Sequence, residues 1–187
     1  MTHYFDIALL LDPEFPSHQL LSALYAKLHR ALVQLANSRV AVSFPDYSVA
    51  PPRLGSRIRL IGSKSDLDLL TVQDWTGGVR DHVRFGTVDV VPAGAVPRTL
   101  VRVQAKSSPQ RLRRRQIRRH GLSENEALER LPDTVAEKLR LPFVQLVSSS
   151  TGQPFRVYLR LGEPQTSARS GAFNSFGLSG TATIPWF

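Results

Sequence analysis

The chain has 187 residues, 42% of them hydrophobic, enough to build the core of one domain or of two small ones. The formal net charge is +9, and the absence of cysteine excludes disulfides, thiolate nucleophiles and Cys-ligated zinc. No apolar stretch approaches a membrane span of about 18 residues, and Asp6 stands where a signal peptide needs a basic start. We therefore expect a cytoplasmic protein with no membrane partner.

The excess positive charge lies in the second half of the chain. Residues 1–94 hold nine Lys or Arg and nine Asp or Glu, whereas residues 95–187 hold fifteen against six. A loop composition, PAGAVP, stands where the character of the sequence changes. We predict two domains, over residues 1–94 and 95–187.

The first half predicts alternating strands and helices. Residues 3–11 (HYFDIALLL) are rich in strand formers, and the prolines that follow end this strand. Ser17 is placed to cap an amphipathic helix whose leucines recur every three or four residues. Then follow strands over 39–47 and 56–62, a short helix capped by Ser65, and a strand over 81–92. The order βαββαβ is the ferredoxin-like pattern and predicts an α+β fold, but this fold decides no function.

The second half predicts a smaller α/β domain that carries an arginine-rich helix. Residues 98–106 form a strand or an extended arm, with Arg102 and Gln104 on one side. After the arginine-rich segment, Ser123 and Glu126 form the capping-box pattern of a further helix. We predict a third helix after Asp133, and then two strands around a turn.

The segment QRLRRRQIRRH, residues 110–120, places six arginines in eleven residues. Ser108 and Pro109 are typical of a helix start and Gly121 of a helix end. On a helix that advances about 100° per residue, five of the arginines fall within an arc of about 140°. These five are Arg111, Arg114, Arg115, Arg118 and Arg119. Such a stripe of like charges is destabilising unless an anion neutralises it.

The arginine stripe predicts a nucleic acid partner. No acidic residue interrupts residues 106–122, which argues against a solvated face of mixed charge. Arginine suits bidentate contact with phosphate, and a rigid stripe suits a groove between two rows of phosphates. An acidic protein partner is the alternative. Charge alone does not choose between RNA and DNA, although an arginine-rich helix can enter the RNA major groove where the duplex ends or is distorted.

An RNA partner would bring its own nucleophile, the 2′-OH, so that a histidine suffices as the base for cleavage. His29 lies at the rim of the first helix's apolar stripe, where histidines are more often structural. The hydroxyls of SSST, residues 148–151, either hold a ribose oxygen or build the turn before Gly152. Phe155 either stacks on a base or packs in the core.

Metal chemistry is less favoured by the sequence. Asp66 and Asp68 form a D-x-D pattern, but we place both in the first turn of a helix, where the helix dipole favours carboxylates. The histidines at 3, 18 and 82 lack metal-ligand spacing, and no glycine loop is suited to phosphates. We expect no metal and no cofactor.

Two alternatives to an enzyme remain. A non-catalytic RNA-binding subunit would use the same arginine stripe, with His29 purely structural. A DNA-binding regulator is suggested by residues 118–131, which predict a helix, a glycine turn and a helix. A helix-turn-helix reads bases with its second helix, however, and here the first helix carries the charge while SENEALERL is acidic.

Several segments resemble one family: VRVQAKSSPQRLRRRQIRRH, LPFVQLVSSSTGQPFRVYLR, FGLSG and PWF. They resemble the CRISPR RNA-processing endoribonuclease of type I-F systems, and the likeness runs from HYFDI to the last residue. The resemblance implies a ferredoxin-like N-terminal domain and a C-terminal domain with the arginine helix. It implies metal-independent cleavage of precursor RNA at the 3′ base of the repeat hairpin, which leaves a 2′,3′-cyclic phosphate and a 5′-hydroxyl. The resemblance further implies that the product stays bound in a surveillance complex with other Cas subunits.

The resemblance also implies roles for single residues. His29 matches the base, Ser148 the serine that positions the 2′-OH, Ser150 a neighbouring family serine, and Phe155 the aromatic that stacks on a terminal base. Arg102 and Gln104 match residues that read base edges at the bottom of the stem. The family helix that lies in the major groove of the stem is matched by Arg114, Arg115, Arg118, Arg119 and His120. Phe176 replaces a family tyrosine and removes a phenol donor, so we expect a shift in how His29 is oriented and no loss of the reaction.

Overall fold

The computed structural model describes residues 1–36, 38–104, 109–132 and 139–187, and only the backbone of residues 110 and 111. Helices and sheets both build the molecule, which confirms the α+β class. The elements in chain order are β1 (His3–Leu9), α1 (Ser17–Gln34), β2 (Ala41–Ser43), β3 (Ser48–Val49), β4 (Pro52–Arg53), β5 (Arg57–Gly62), α2 (Lys64–Thr71), a 3-10 turn (Arg80–His82), β6 (Val83–Phe85), β7 (Asp89–Val90), β8 (Val96–Arg98), β9 (Leu100–Val103), α3 (Pro109–His120), α4 (Glu124–Arg130), β10 (Phe143–Val147), β11 (Pro154–Leu161) and β12 (Ile184–Trp186).

The largest sheet has the order β2-β5-β1-β6, with every neighbouring pair antiparallel, and β7 also pairs with β1. Its strand β1 buries alternate residues, Phe5 and Ile7, as the two-residue period of a strand requires. Helix α1 buries its leucine stripe in the same core. The predicted first strand and first helix are therefore confirmed.

Three details of the sequence prediction are wrong. Ser17 does not cap α1, because Pro16 occupies the N-cap position and no side chain caps the helix. Helix α2 is capped by Ser63, whose hydroxyl accepts from the N–H of Asp66, and Ser65 lies inside the helix. Both errors are shifts of one or two residues. In place of the single strand predicted over 81–92 there are two short strands, β6 and β7. Gly86 lies between these two strands and donates its N–H to the carbonyl of Asp6 on β1.

The second half contributes a smaller sheet of order β10-β11-β9 and the pair β8-β12. Strands β10 and β11 form the predicted hairpin, and β10 alternates buried and exposed residues along its length. Val144, Leu146, Val157 and Leu159 join the same hydrophobic core as β1 and α1. Pairing of β12 with β8 places the last strand beside residues 96–98.

The chain divides into two compact units, residues 1–103 with 141–187, and residues 104–140. The predicted domain boundary after residue 94 stays a prediction, because these units are defined by how densely their residues pack and need not be separate domains. Within the described ranges no helix is long and apolar enough to cross a membrane.

The smaller unit contains α3 and α4. Pro109 begins α3 as predicted, and Gly121, with φ 64°, ends it by donating its N–H to the carbonyl of Ile117. The capping box of Ser123 and Glu126 begins α4 as predicted, and the N–H of Ser123 lowers the pKa of the Glu126 carboxyl by hydrogen bonding. The predicted cap at residue 108 and the predicted helix after residue 133 lie outside the described residues.

Candidate active site

His29 lies near the end of α1, half-buried beside the buried Leu28. Its Nδ1 is 2.8 Å from the backbone carbonyl oxygen of Ser175. Its ring stacks on Phe176, with centroids 3.9 Å apart and planes 5° from parallel. Because a carbonyl oxygen only accepts, Nδ1 carries the proton and donates it. In the neutral ring Nε2 therefore has the lone pair, which is the state that a general base requires.

The loop that orients His29 is built by Asn174 and Gly177. The side-chain oxygen of Asn174 accepts from the N–H groups of Phe176 and Leu178, at 2.9 and 3.2 Å. Gly177 has φ 69°, and a Cβ there would clash with the side chain of Val42. The carbonyl of Gly177 also accepts from the N–H of Val42 at 2.9 Å, which ties the loop to the largest sheet.

Tyr25 supplies a further contact that holds the loop. It lies one turn before His29 on α1, is fully buried, and donates its hydroxyl to the carbonyl of Phe176 at 2.8 Å. Its ring also stacks with that of Phe176, with centroids 6.3 Å apart. Burial raises the pKa of Tyr25, so the hydroxyl stays protonated and remains a donor. Phe176 is therefore held both by its backbone and by its ring.

Arg102 on β9 connects this centre to Phe155. The guanidinium carbon lies 5.7 Å from the ring centroid of Phe176 and 5.8 Å from that of Phe155. Its Nε is buried and has no hydrogen-bond partner among the described residues. Leaving such a donor without a partner is destabilising by about 1–3 kcal/mol. We call the contiguous group of His29, Phe176, Arg102 and Phe155 the His29 site.

Ser148 and Ser150 lie in the turn between β10 and β11. Their hydroxyl oxygens are 3.1 Å apart, and that of Ser148 also accepts from the N–H of Thr151 at 3.3 Å. Ser148 is half-buried and Ser150 is exposed. Strand β10, which leads to Ser148, is bonded to α1 through the N–H of Gln145 and the hydroxyl of Ser22, at 3.1 Å. The helix that carries His29 is thus in direct contact with the strand that carries Ser148.

Helix α3 presents its cations to solvent. Exposed residues on it are Arg114, Arg115, Arg118, Arg119 and His120, whereas Leu112 and Ile117 are half-buried. None of these four arginines forms an ion pair with a carboxylate in the described part of the chain. Gln104 is also exposed. The side chain of Arg111 lies outside the described residues. Arg114, Arg115, Arg118 and Arg119 are accordingly not ion-paired with the described carboxylates, and we call them the arginine face.

The two aspartates considered as metal ligands are engaged with cations. Asp66 is buried and accepts from Arg39 at 2.7 Å and from Ser63 at 2.6 Å. Asp68 pairs with Lys64 at 2.7 Å. Of the side chains that the structure describes, no three or more His, Asp or Glu are grouped so that they could hold a metal ion. Asp66 and Asp68 therefore make structural contacts of α2, with Arg39, Ser63 and Lys64.

Comparison with known proteins assigns the chain to a family. The model of the CRISPR-associated protein family Cas_Csy4 matches residues 4–187. The chain belongs to the Csy4 family. It is 52% identical over 187 residues to the CRISPR-associated endonuclease Cas6/Csy4 of Pseudomonas aeruginosa (strain UCBPP-PA14), with 100% of both chains covered. It is 43% identical, again over 187 residues and 100% of both chains, to the protein of the same name from Escherichia coli (strain UTI89 / UPEC). The resemblance drawn from the sequence motifs is confirmed.

Sequence reasoning missed the residues that orient the histidine of this Csy4 family member. Tyr25 lies among the buried residues of α1, and Ser175 takes part only through its backbone carbonyl. The pairing of Asn174 with Gly177 is typical of a turn and could have marked the loop. Nothing in the local pattern says that the turn meets a helix 146 residues earlier in the chain.

Proposed function

We propose that this Csy4 family member is an endoribonuclease that cleaves precursor CRISPR RNA at the 3′ base of the repeat hairpin, without a metal ion. The relatives compared above are both named CRISPR-associated endonucleases. The observation that carries the proposal is the geometry of His29, stacked on Phe176 and bonded through Nδ1 to the carbonyl of Ser175. That geometry orients an imidazole so that Nε2 is left to accept a proton.

The reaction begins when Nε2 of His29 removes the proton of the 2′-OH beside the scissile phosphate. The 2′ oxygen attacks phosphorus, and the bond between phosphorus and the 5′ oxygen breaks. The products are a 2′,3′-cyclic phosphate and, once the leaving oxygen takes up a proton from water, a 5′-hydroxyl. Ser148 positions the 2′-OH, and Ser150 supports Ser148 through their contact of 3.1 Å. A positioned base of this kind contributes about 10²- to 10⁴-fold to the rate.

Recognition of the hairpin is assigned to the remaining candidate residues. Helix α3 places Arg114, Arg115, Arg118, Arg119 and His120 in the major groove of the stem, and Arg111 belongs to the same stripe. Arg102 and Gln104 read base edges at the bottom of the stem, and Phe155 stacks on the terminal base. The exposed cations of α3 and the position of Arg102 beside Phe155 and Phe176 support this assignment.

The wider setting follows the same family pattern. Strand order β2-β5-β1-β6, with α1 after β1 and α2 after β5, supports a ferredoxin-like N-terminal domain over residues 1–94, followed by an RNA-binding domain over 95–187. The cytoplasmic enzyme keeps its cleaved hairpin and joins the other Cas subunits of the type I-F surveillance complex. Retention is supported by the arginine face, because its phosphate contacts do not depend on the bond that is cut.

The proposal is tested with two labelled repeat hairpins in excess EDTA. One is all-ribose, and the other carries 2′-deoxyribose at the nucleotide before the cut. We expect the all-ribose RNA to be cut at its normal rate, mass spectrometry to show the cyclic phosphate, and the deoxy RNA to bind uncut. A strict Mg²⁺ requirement, or cleavage of the deoxy RNA, would contradict the mechanism. Binding without cleavage of either RNA would favour the non-catalytic RNA-binding subunit.

A further inference from the structure

A groove of about 1200 Å³ lies within the larger compact unit. Helix α1 forms one wall, residues 52–56 form the second, and β10 with Arg156 of β11 forms the third. The groove is lined by residues of three separate parts of the chain that share one core, so its shape is set by the fold itself. None of the roles proposed above uses it.

One end of the groove adjoins the catalytic residues. Arg30 follows His29 directly in α1, Val147 directly precedes Ser148, and both Arg30 and Val147 line the groove. From Arg30 the lining residues continue back along α1 to Ser17. At about 1.5 Å per residue, this stretch of helix is roughly 20 Å long. The groove therefore begins beside the proposed point of cleavage and leads away from it.

The charged residues of the groove favour an anion. Arg30, Arg53 and Arg156 are exposed, and none pairs with a carboxylate in the described ranges. Asp46 also lines the groove, but it is already paired with Arg57 at 3.0 Å. The three guanidinium groups consequently face the groove region without a counter-charge from the described carboxylates.

An aromatic surface stands among these cations. Phe143, at 38% exposure, projects from the outer face of β10, and the guanidinium of Arg156 lies 4.5 Å above its ring centroid. The ring of Tyr158 is 5.3 Å from that of Phe143. Aromatic rings and arginine planes beside a cationic groove are the groups on which single-stranded nucleic acids stack. A strand of phosphates joined to flat bases would match both the cations and the rings, whereas a purely anionic segment would match only the cations.

We propose that this groove binds the single-stranded RNA downstream of the scissile phosphate, the strand that leaves with the 5′-hydroxyl. The inference rests on the proposed function, which assigns the hairpin on the other side of the cut to Arg102, Phe155 and α3. The strand left to be held is the downstream one, and the groove starts where that strand starts. Its length suits at most about six nucleotides at the roughly 3.4 Å spacing of a stacked strand.

The test uses two uncleavable hairpins with 2′-deoxyribose before the cut. One ends a single nucleotide after the scissile phosphate, and the other extends about six nucleotides further. We expect the wild type to bind the longer RNA about tenfold more tightly at physiological salt, because the charge-assisted contacts of the groove outweigh the ordering of the strand. The double variant Arg30→Gln with Arg156→Gln should lose this preference but bind the shorter RNA as the wild type does.

A matched control is Arg84→Gln with Arg160→Gln, which removes two exposed arginines of the same unit from outside the groove and should keep the preference. The groove variant should also lower the salt dependence for the longer RNA alone, by about 1.4 in the slope of log K against log salt. Equal wild-type affinity for both RNAs would overturn the proposal, as would a groove variant that keeps the preference. If both RNAs bind equally and the groove variant instead weakens binding of another Cas subunit to the RNA-bound protein, the groove is a protein docking site.

All-ribose versions of the same two RNAs, one short and one long, separate this proposal from the proposed function. Cleavage of the all-ribose short RNA to a cyclic phosphate, without any preference for the longer RNA, would contradict the groove and leave the enzyme intact. If neither all-ribose RNA is cleaved, the proposed function fails, while the affinities of the uncleavable pair still decide whether the groove binds RNA.

Discussion

The His29 site and helix α3 differ in what their side chains must provide. At the His29 site one imidazole is fixed by a hydrogen bond, a stacked ring and a loop that a buried tyrosine holds in place. On α3 four arginines stand exposed, with no ion pair to a described carboxylate. The comparison teaches that the chemistry depends on the orientation of a single group, whereas binding depends on the number of charges. Variants of the two regions should therefore fail in different ways.

The largest effect is expected from His29→Ala. Removing the proposed base should lower the single-turnover cleavage rate by about 10²- to 10⁴-fold, because a positioned general base contributes about that much to the rate. Hairpin affinity should stay within about twofold of wild type, since few of the phosphate contacts that dominate affinity involve the ring. The measurements are single-turnover rates at saturating protein and filter binding of the 2′-deoxy hairpin.

His3→Ala is the matched control for this variant, because it removes a histidine of β1 whose Nδ1 lies 2.9 Å from the hydroxyl of the neighbouring Thr2. It should cleave and bind like the wild type. Cleavage by His29→Ala at the wild-type rate would erase the contrast between the two regions, since the oriented imidazole would then be structural.

A smaller effect is expected from Arg115→Gln with Arg119→Gln on α3. The loss of two phosphate contacts should weaken hairpin binding by about 10- to 100-fold and lower the salt slope by roughly 0.7–0.9 for each contact. The cleavage rate at saturating protein should not change. Affinity across a salt series and single-turnover rates measure the two quantities separately.

Arg160→Gln is the control for charge alone, because this exposed arginine of β11 has no role in the proposed interfaces. It should leave both the affinity and the salt slope within about twofold of wild type. A drop in the saturated cleavage rate of the α3 variant would mean that the helix also orients the reacting groups. The arginines of α3 would then contribute to catalysis as well as to binding, and the two regions would not differ as proposed.

The contrast between the regions also explains what the sequence could predict. The arginine stripe, Gly121 and the capping box of Ser123 are local patterns, and each is visible within one helix. The hydrophobic residues of α1 and β1 also predict these elements, because burial of one face imposes a period of 3.6 residues on a helix and 2 on a strand. The predicted N-cap positions differ from the observed ones by one or two residues, because a neighbouring proline or serine can occupy the same end of the helix.

The His29 site was beyond local patterns, because its parts come from distant segments. The donor Tyr25 and the acceptor carbonyl of Phe176 are 151 residues apart in the chain. Their approach depends on how the loop at Gly177 docks on Val42, which is a tertiary contact with no sequence period. Only the resemblance to a known family marked His29 and Ser148 as more than a helix-rim histidine and a turn serine, and their roles stay predictions.

The smallest effect is expected from Phe176→Tyr, which sharpens what orientation requires. The ring stacked on His29 is retained and a phenol is added, so the single-turnover rate should change by less than about threefold. Phe176→Ala is the matched comparison, and loss of an aromatic contact worth about 0.5–1.5 kcal/mol should slow cleavage by about 2- to 13-fold. Thermal unfolding of both variants separates this from loss of the fold. A Phe176→Tyr rate more than tenfold above wild type would show that the phenol handles a proton, in which case orientation by the ring alone is not enough to account for the chemistry.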